Sequence, residues 1–390
     1  MLLTKCASCA AELGLTSGKK CGRCATRYCG PACQVQHWNE GGHDQLCKKI
    51  KRGGGAEQYH ADMMCTVAVA VAVAKCVDDT NGQTCYICTE VVHRRTGEGL
   101  VRGCACGDRD GVASGTAGVV HVACLAEQAK LLCDEAEENN LDWDAKSERW
   151  ARWYTCSLCE QKYHGVVRCA LGWACWKTYV GRPEANWARR AATTELGCGL
   201  HSAEHYEDAL TVREADLALA RRFGETRNML VMLSNLASTY EELERRPEAL
   251  PMRREVYSVT LQLYGEEHIE SLIEANNYAG NLSSLRRFKE AKSLMRKTIP
   301  VAQRVLGMSN DLTLRMRWIY GDALYEADGA TLDDLREAVT TLEDTARIAR
   351  RVLGGAHPFT VHIERTLQNA RSKLVSFEAL SERMRDLSVS

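Results

Sequence analysis

The chain has 390 residues, 45% of them hydrophobic and 26% charged, with a formal net charge of -1. That length supports two or three globular units, and the near-neutral balance excludes a strong non-specific attraction to nucleic acid. Twenty cysteines mean either extracellular disulfides or metal ligation. Lys5 and Cys6 follow Met1, Leu2, Leu3 and Thr4 with no apolar signal core, so the expected compartment is reducing, cytoplasmic or nuclear. There, clustered cysteine pairs read as zinc ligands.

The first cluster runs Cys6-x2-Cys9, Cys21-x2-Cys24, Cys29-x3-Cys33 and His43-x3-Cys47. Eight donors suit two zinc ions, because zinc takes four tetrahedral thiolates or imidazoles and a Cys-x2-Cys turn offers two sulfurs at the right bite. His43 and Cys47 sit one helical turn apart and share a face, which favours His43 over His37 as the donor. The text from Arg27 through Tyr28, Cys29, Gly30, Pro31, Ala32, Cys33 and Gln34 to His37 and Trp38 resembles a MYND finger. That resemblance implies one zinc on Cys6, Cys9, Cys29 and Cys33, a second on Cys21, Cys24, His43 and Cys47, and a role in binding proline-containing peptides. A unit of this size cannot bury enough apolar surface to fold alone, so the metal supplies its folding free energy. Its last residues, Lys48, Lys49, Ile50, Lys51 and Arg52, read as a solvated helix end. Three glycines at 53–55 end this first domain, residues 1–52.

Residues 53–82 form a linker. Within it, residues 66–74 alternate Thr, Val and Ala and close at Lys75, far short of the roughly 20 apolar residues of a membrane span. The flanks continue a helical composition, so a buried helix joining the fingers is expected.

Residues 83–180 carry the second cluster: Cys85, Cys88, Cys104, Cys106, His121, Cys124, Cys156 and Cys159. The order of donor types, and the single residue Ala105 between the third and fourth, resemble the RING-CH variant of the RING finger. The resemblance implies a cross-brace, with Cys85, Cys88, His121 and Cys124 on one ion and Cys104, Cys106, Cys156 and Cys159 on the other. It also implies that Ile87 contacts a ubiquitin-conjugating enzyme, whereas without the resemblance Ile87 simply packs its turn. Two departures bear on activity: Ala126, Glu127 and Gln128 stand where a Trp is frequent, and Glu160 stands where active RING ligases often carry a basic residue. The fourteen residues at 107–120 form a long insertion that the metal site tolerates. Tyr154, two residues before the seventh donor, keeps a PHD-like histone-tail reader open as a rival. His164, Cys169 and Cys175 lack a fourth donor and read as packing residues, as do Cys65, Cys76, Cys133 and Cys198. A second boundary is expected at Gly181, Arg182, Pro183 and Glu184.

From about residue 190 the chain repeats every 42 residues. Leu233, Leu236, Ala237, Tyr240 and Leu243 recur as Ala275, Tyr278, Ala279, Leu282 and Leu285, a helical apolar stripe in register. Gly224, Gly265, Gly307 and Gly354 each follow a second helix, where a left-handed cap is expected. The pattern resembles tetratricopeptide repeats of the kinesin-light-chain type over residues 190–375, with a tail at 376–390. The resemblance implies a solenoid whose inner helices bind peptides, with Asn235, Asn276, Asn277 and Asn281 as candidate contacts.

No phosphate loop, nucleophile elbow or catalytic triad spacing is present. The expected fold is mostly α: two small zinc-stabilised cross-brace fingers followed by an α-helical tetratricopeptide solenoid. Four structural zinc ions are expected in all, two in each finger. The leading functional expectation is a RING-type ubiquitin ligase acting as a scaffold, with no residue of its own in catalysis. The alternative is a non-enzymatic adaptor. Either way the partners are proteins and peptides rather than membrane, nucleic acid or a small-molecule substrate.

Overall fold

The computed structural model describes residues 5–11, 13, 18–104, 106, 118–224, 226–355 and 357–389. Ala105 and most of the insertion, residues 107–117, lie outside these. The chain divides into two compact units, Met1–Thr239 and Tyr240–Ser390.

The first unit opens with a two-stranded antiparallel ribbon, β1 (Lys19–Lys20) and β2 (Arg27–Tyr28), followed by α1 (Pro31–Asn39) and α2 (His43–Arg52). Pro31 starts α1, where its fixed φ suits the first turn and its missing N–H is not needed. Gly42, left-handed at φ 71°, starts α2. The glycines at 53–55 then turn the chain, and the Ala56 N–H at the head of α3 (Ala56–Lys75) donates to the Cys24 carbonyl at 2.8 Å. After the short α4 (Val77–Thr80) comes a second antiparallel ribbon, β3 (Val101–Arg102) with β4 (Val119–Val120). α5 (Val122–Glu138), α6 (Trp143–Trp150) and a 3-10 turn (Ala151–Trp153) lead to α7 (Gly165–Tyr179). α8 (Trp187–Ser202), α9 (Tyr206–Phe223) and the first part of α10 (Thr226–Glu242) complete the unit.

α7 is the pivot of this unit. Val167, Leu171, Trp173, Trp176 and Tyr179 are all buried, because α3, α5 and α8 pack around it. The crossing with α8 is close: a Cβ on Gly172 would lie 2.9 Å from the Glu195 carbonyl oxygen, and one on Gly199 would lie 2.8 Å from that of Arg168. Beside this contact Arg168 pairs with Glu195, both nearly buried, and donates to the Trp153 carbonyl at 3.1 Å. The turn at 181–184 is therefore followed by a helix packed directly onto the finger region. Cys169 and Cys175 lie in this core, with Cys65, Cys76 and Cys133.

α3 is a helix with one buried face. Ala61, Cys65, Val69 and Ala72 are buried, while Met63, Val67 and Val71 are 47%, 51% and 44% exposed. The expectation of a buried helix is corrected to that extent. Val/Ala alternation has period two while the helix turns every 3.6 residues, so valines fall on both faces.

The second unit continues with α11 (Arg246–Tyr264), α12 (Ile269–Ser284), α13 (Phe288–Leu306), α14 (Asp311–Glu326), α15 (Leu332–Leu353) and α16 (Pro358–Val389). Each packs on the next, burying Leu272, Ala279, Met295, Leu314, Leu335 and Ile363. One local turn recurs within the helical pairs: Glu204, Glu244 and Arg286 have φ near 60°, and the next N–H (His205, Arg245, Arg287) donates back to Leu200, Tyr240 and Leu282. α8 and α9 thus share the repeat geometry. The expected helix-ending glycines all have positive φ, but only Gly224 (φ 70°, ψ 30°) is a left-handed cap. Gly265, Gly307 and Gly354 combine φ 84–92° with extended ψ, a region open essentially to glycine alone. Among the described residues no helix is long and apolar enough to cross a membrane.

Candidate zinc centres and the adjoining groove

Four Cys-x2-Cys turns are built identically. The residue after each second cysteine, Ala10, Ala25, Thr89 and Glu160, takes φ of 58–63°. Its N–H donates to the carbonyl of the first cysteine at 2.8–2.9 Å, and the first cysteine's N–H donates to the residue one further on. This fold of the backbone aims both sulfurs to one side. Ile87 and Leu158 then add N–H donors to the Cys85 and Cys156 sulfurs, each at 3.4 Å.

The turns assemble into four quartets: Cys6, Cys9, Cys29 and Cys33; Cys21, Cys24, His43 and Cys47; Cys85, Cys88, His121 and Cys124; and Cys104, Cys106, Cys156 and Cys159. In each, the donor atoms lie within 4.8 Å of one another. Both fingers are cross-braced, since donors from alternate parts of the chain share a site. Four soft donors and no carboxylate fit structural zinc. In the His121 site, Nε2 donates to the Val91 carbonyl at 3.3 Å and leaves Nδ1 facing Cys88 and Cys124 at 3.3 and 3.7 Å. That outer hydrogen bond fixes the donor tautomer. Burial lowers the His121 pKa, which keeps the imidazole neutral. In the first finger Nε2 of His43 faces Cys24 at 3.5 Å, while His37 stacks on His43 and binds the Tyr28 hydroxyl through Nδ1 at 3.0 Å. Crowding of the thiols is plain at the last quartet. Cys156 is held down to about 4 by a side-chain hydrogen bond with Cys104, and that pairing, with burial, pushes Cys104 far up. A divalent cation removes the conflict by taking all four as thiolates.

Beside the His121 site lies an open groove of about 860 Å³ between the first turn of the central finger and α5. Ile87, Leu131 and Leu132 supply its apolar surface, and the pairs Arg94–Glu90 and Arg95–Glu127 its charged rim. The Tyr86 hydroxyl lies 3.1 Å from that of Ser157, so the two turns of the finger sit side by side. Ile87 and Leu158 occupy the same place in their turns and are 38% and 54% exposed. Sequence reasoning missed Leu158 and Leu131, the latter 57% exposed. Aligning Cys85-Tyr86-Ile87-Cys88 with Cys156-Ser157-Leu158-Cys159 would have found the first. Glu160 is an exposed side chain on a left-handed residue. Tyr154 is half-buried, with the Arg168 guanidinium 5.1 Å from its ring centre.

The four Asn candidates separate. Asn281 is 3% exposed and donates to Glu241 at 2.9 Å, where Arg253 also binds. It belongs to a part-buried polar network with Glu241 and Arg253. Asn277 is half-buried and donates to Glu274 at 3.4 Å. Asn235 and Asn276 are also half-buried, and the Asn276 Oδ1 has no partner among the described residues.

A model of the MYND finger matches residues 6–47, and a tetratricopeptide repeat model matches 229–270 and 275–311. Residues 6–47 are a MYND finger. Among solved structures, the chain is similar to two forms of the kinesin-light-chain TPR-like repeats from Podosopora anserina, one of them carrying a single substitution. Both are 18% identical over 59% of this chain and 97% of that one, with TM-scores of 0.40 and, for the substituted form, 0.41. BtubC (BKLC) from P. vanneervenii is 15% identical over 69% of this chain and 89% of its own, with a TM-score of 0.42. No curated protein matches.

Proposed function

We propose that this protein is a multivalent protein-binding adaptor whose central finger works as a RING-type ubiquitin ligase module. Zinc finger and tetratricopeptide repeats are both protein-interaction modules, which supports the adaptor part. The ligase part rests on one observation. Two cross-braced turns meet through Tyr86 and Ser157 and leave Ile87 and Leu158 exposed, Ile87 on a groove closed by Leu131 of α5. A conjugating enzyme would dock there and be held in position, with no residue of this chain touching the reacting thioester. The zinc ions, each enclosed by four donors, would serve only to hold the turns. The MYND finger and the repeats would select substrates, in a reducing compartment that keeps fourteen thiol donors intact.

The test is discharge of charged conjugating enzymes by the zinc-loaded full chain across a panel, with Ile87→Ala and Leu131→Glu alongside. Stimulated discharge that falls at least ~10-fold in both variants at unchanged zinc content supports the ligase, since an apolar interface anchor is worth roughly 2 kcal/mol. No discharge with any enzyme leaves the adaptor alone.

A further inference from the structure

The four quartets differ in one respect that their donor sets do not show. Cys9 and Cys29 of the first quartet are exposed and Cys33 is half-buried, whereas all four donors of Cys21, Cys24, His43 and Cys47 are buried. In the central finger Cys88, Cys106 and Cys159 are half-buried and none is exposed. Oxidation of thiolates follows their accessibility, so the order of attack is written in this burial. Cys29 also lies centrally, its sulfur 3.6 Å from Cys9 and 3.4 Å from Cys33.

The first quartet also holds something. Cys29 stands just before Gly30, the N-cap of α1, and Cys33 lies in the first turn, while α1 itself buries none of its residues. Its other ties are side-chain contacts: the His37 and Trp38 rings against His43, His37 Nδ1 with the Tyr28 hydroxyl at 3.0 Å, and the exposed Gln36 accepting from Ser8 at 3.3 Å. α1 presents Val35 and Trp38, 59% and 40% exposed. α2 is anchored independently through His43 and Cys47.

We propose that Cys6, Cys9, Cys29 and Cys33 form an oxidation-sensitive zinc site that controls whether α1 is held in place. The oxidant is a peroxide. The Cys29 thiolate attacks one peroxide oxygen, the O–O bond breaks, and hydroxide leaves a sulfenic acid. A neighbouring thiolate, Cys9 or Cys33, attacks that sulfur and expels a second hydroxide, forming a disulfide. Two thiolates lose two electrons, one peroxide becomes two waters, and solvent supplies two protons. A second peroxide oxidises the remaining pair, and the zinc, left without thiolates, departs hydrated. α1 then loses its N-terminal anchor while α2 and the central finger keep theirs.

The test uses the zinc-loaded full chain and hydrogen peroxide added stepwise. Zinc release is followed with a chromogenic chelator, each cysteine by differential alkylation and mass spectrometry, and α1 by hydrogen exchange. The expected result is release of about one zinc per chain first, with Cys6, Cys9, Cys29 and Cys33 the first thiols blocked. Exchange should rise at least ~10-fold over residues 31–39 and stay unchanged over 43–52 and 85–159, reversed by dithiothreitol with zinc. Cys9→His keeps four donors but removes one exposed thiolate and should slow the first release several-fold. First release from residues 85–159, a common rate at all four quartets, or oxidation of the first quartet without faster exchange in α1 would each overturn the proposal. The wild-type measurements decide it even if the variant binds no metal.

Discussion

The two fingers use the same turn and the same donor chemistry, yet they are held differently. In the first finger the buried apolar core is Cys6, Leu13, Cys21, Cys24, Tyr28 and Cys47, of which four are metal donors. There the metal site and the core are nearly the same object. The central finger shares one continuous core with α3, α5, α7 and α8, through Val101, Val120, Leu125, Trp153 and Trp173. Its metal sites shape loops on a scaffold that already has apolar area to bury. The difference teaches that identical ligand patterns can carry opposite shares of the folding free energy, with the share set by what surrounds them.

The largest way to break this contrast is to remove zinc from the first finger. Cys47→Ser forfeits a site whose metal contributes on the order of 10 kcal/mol to folding, so residues 18–52 should lose exchange protection outright. Under chelation α7 and α8 should keep theirs. Loss of α7 protection at the chelator concentration that unfolds α2 would erase the distinction between the fingers.

A smaller effect tests the scaffold itself. Glu195→Leu strands the Arg168 guanidinium in the α7–α8 contact and should destabilise the first unit by about 3–5 kcal/mol in urea unfolding. Adding Arg168→Met should recover most of that loss. If the double variant is as unstable as the single, charge burial is not what the pair manages.

The second unit, where no metal-donor quartet occurs among the described residues, offers a pH test. Burial, and then Glu326, push the Asp322 carboxyl up from 3.8 to about 6, with Tyr325 opposing through a hydrogen bond. A folded-state pKa above the unfolded one means the ionised form penalises folding. The penalty is absent below about pH 4, grows toward pH 6 and is complete above it. Asp322→Asn should therefore raise stability at pH 7 by up to roughly 3 kcal/mol and flatten that slope, read from exchange protection of α14 and α15. A variant less stable than wild type at pH 7 would refute this.

The smallest effect sharpens the shared turn. Thr89 is β-branched at φ 63°, where Ala10 and Ala25 hold the same place with less strain. Thr89→Gly should stabilise the central finger by about 1 kcal/mol, seen as slower zinc transfer to a chelator. Unchanged transfer would mean the strain is relieved elsewhere.

Much of this molecule could be read locally. Donors three or four residues apart sit on one turn whatever surrounds them, and the resemblance to known fingers supplied the pairing that spacing left open. The 42-residue recurrence of Leu233 to Leu243 in Ala275 to Leu285 likewise rests on one periodic face. Asn281 shows where such reading stops. Its type suits a peptide contact, but only the placement of Glu241 and Arg253 decides that it is buried.

The sequence by itself determined the donor chemistry and the helical repeat, because these depend on residue types at short spacing. Tertiary structure alone decided which face of α3 is covered, that α7 and α8 meet at Gly172 and Gly199, that Ile87 and Leu131 border one groove, and that only the first quartet has exposed donors. Each of these is set by segments distant in the chain, whose mutual packing no local pattern encodes.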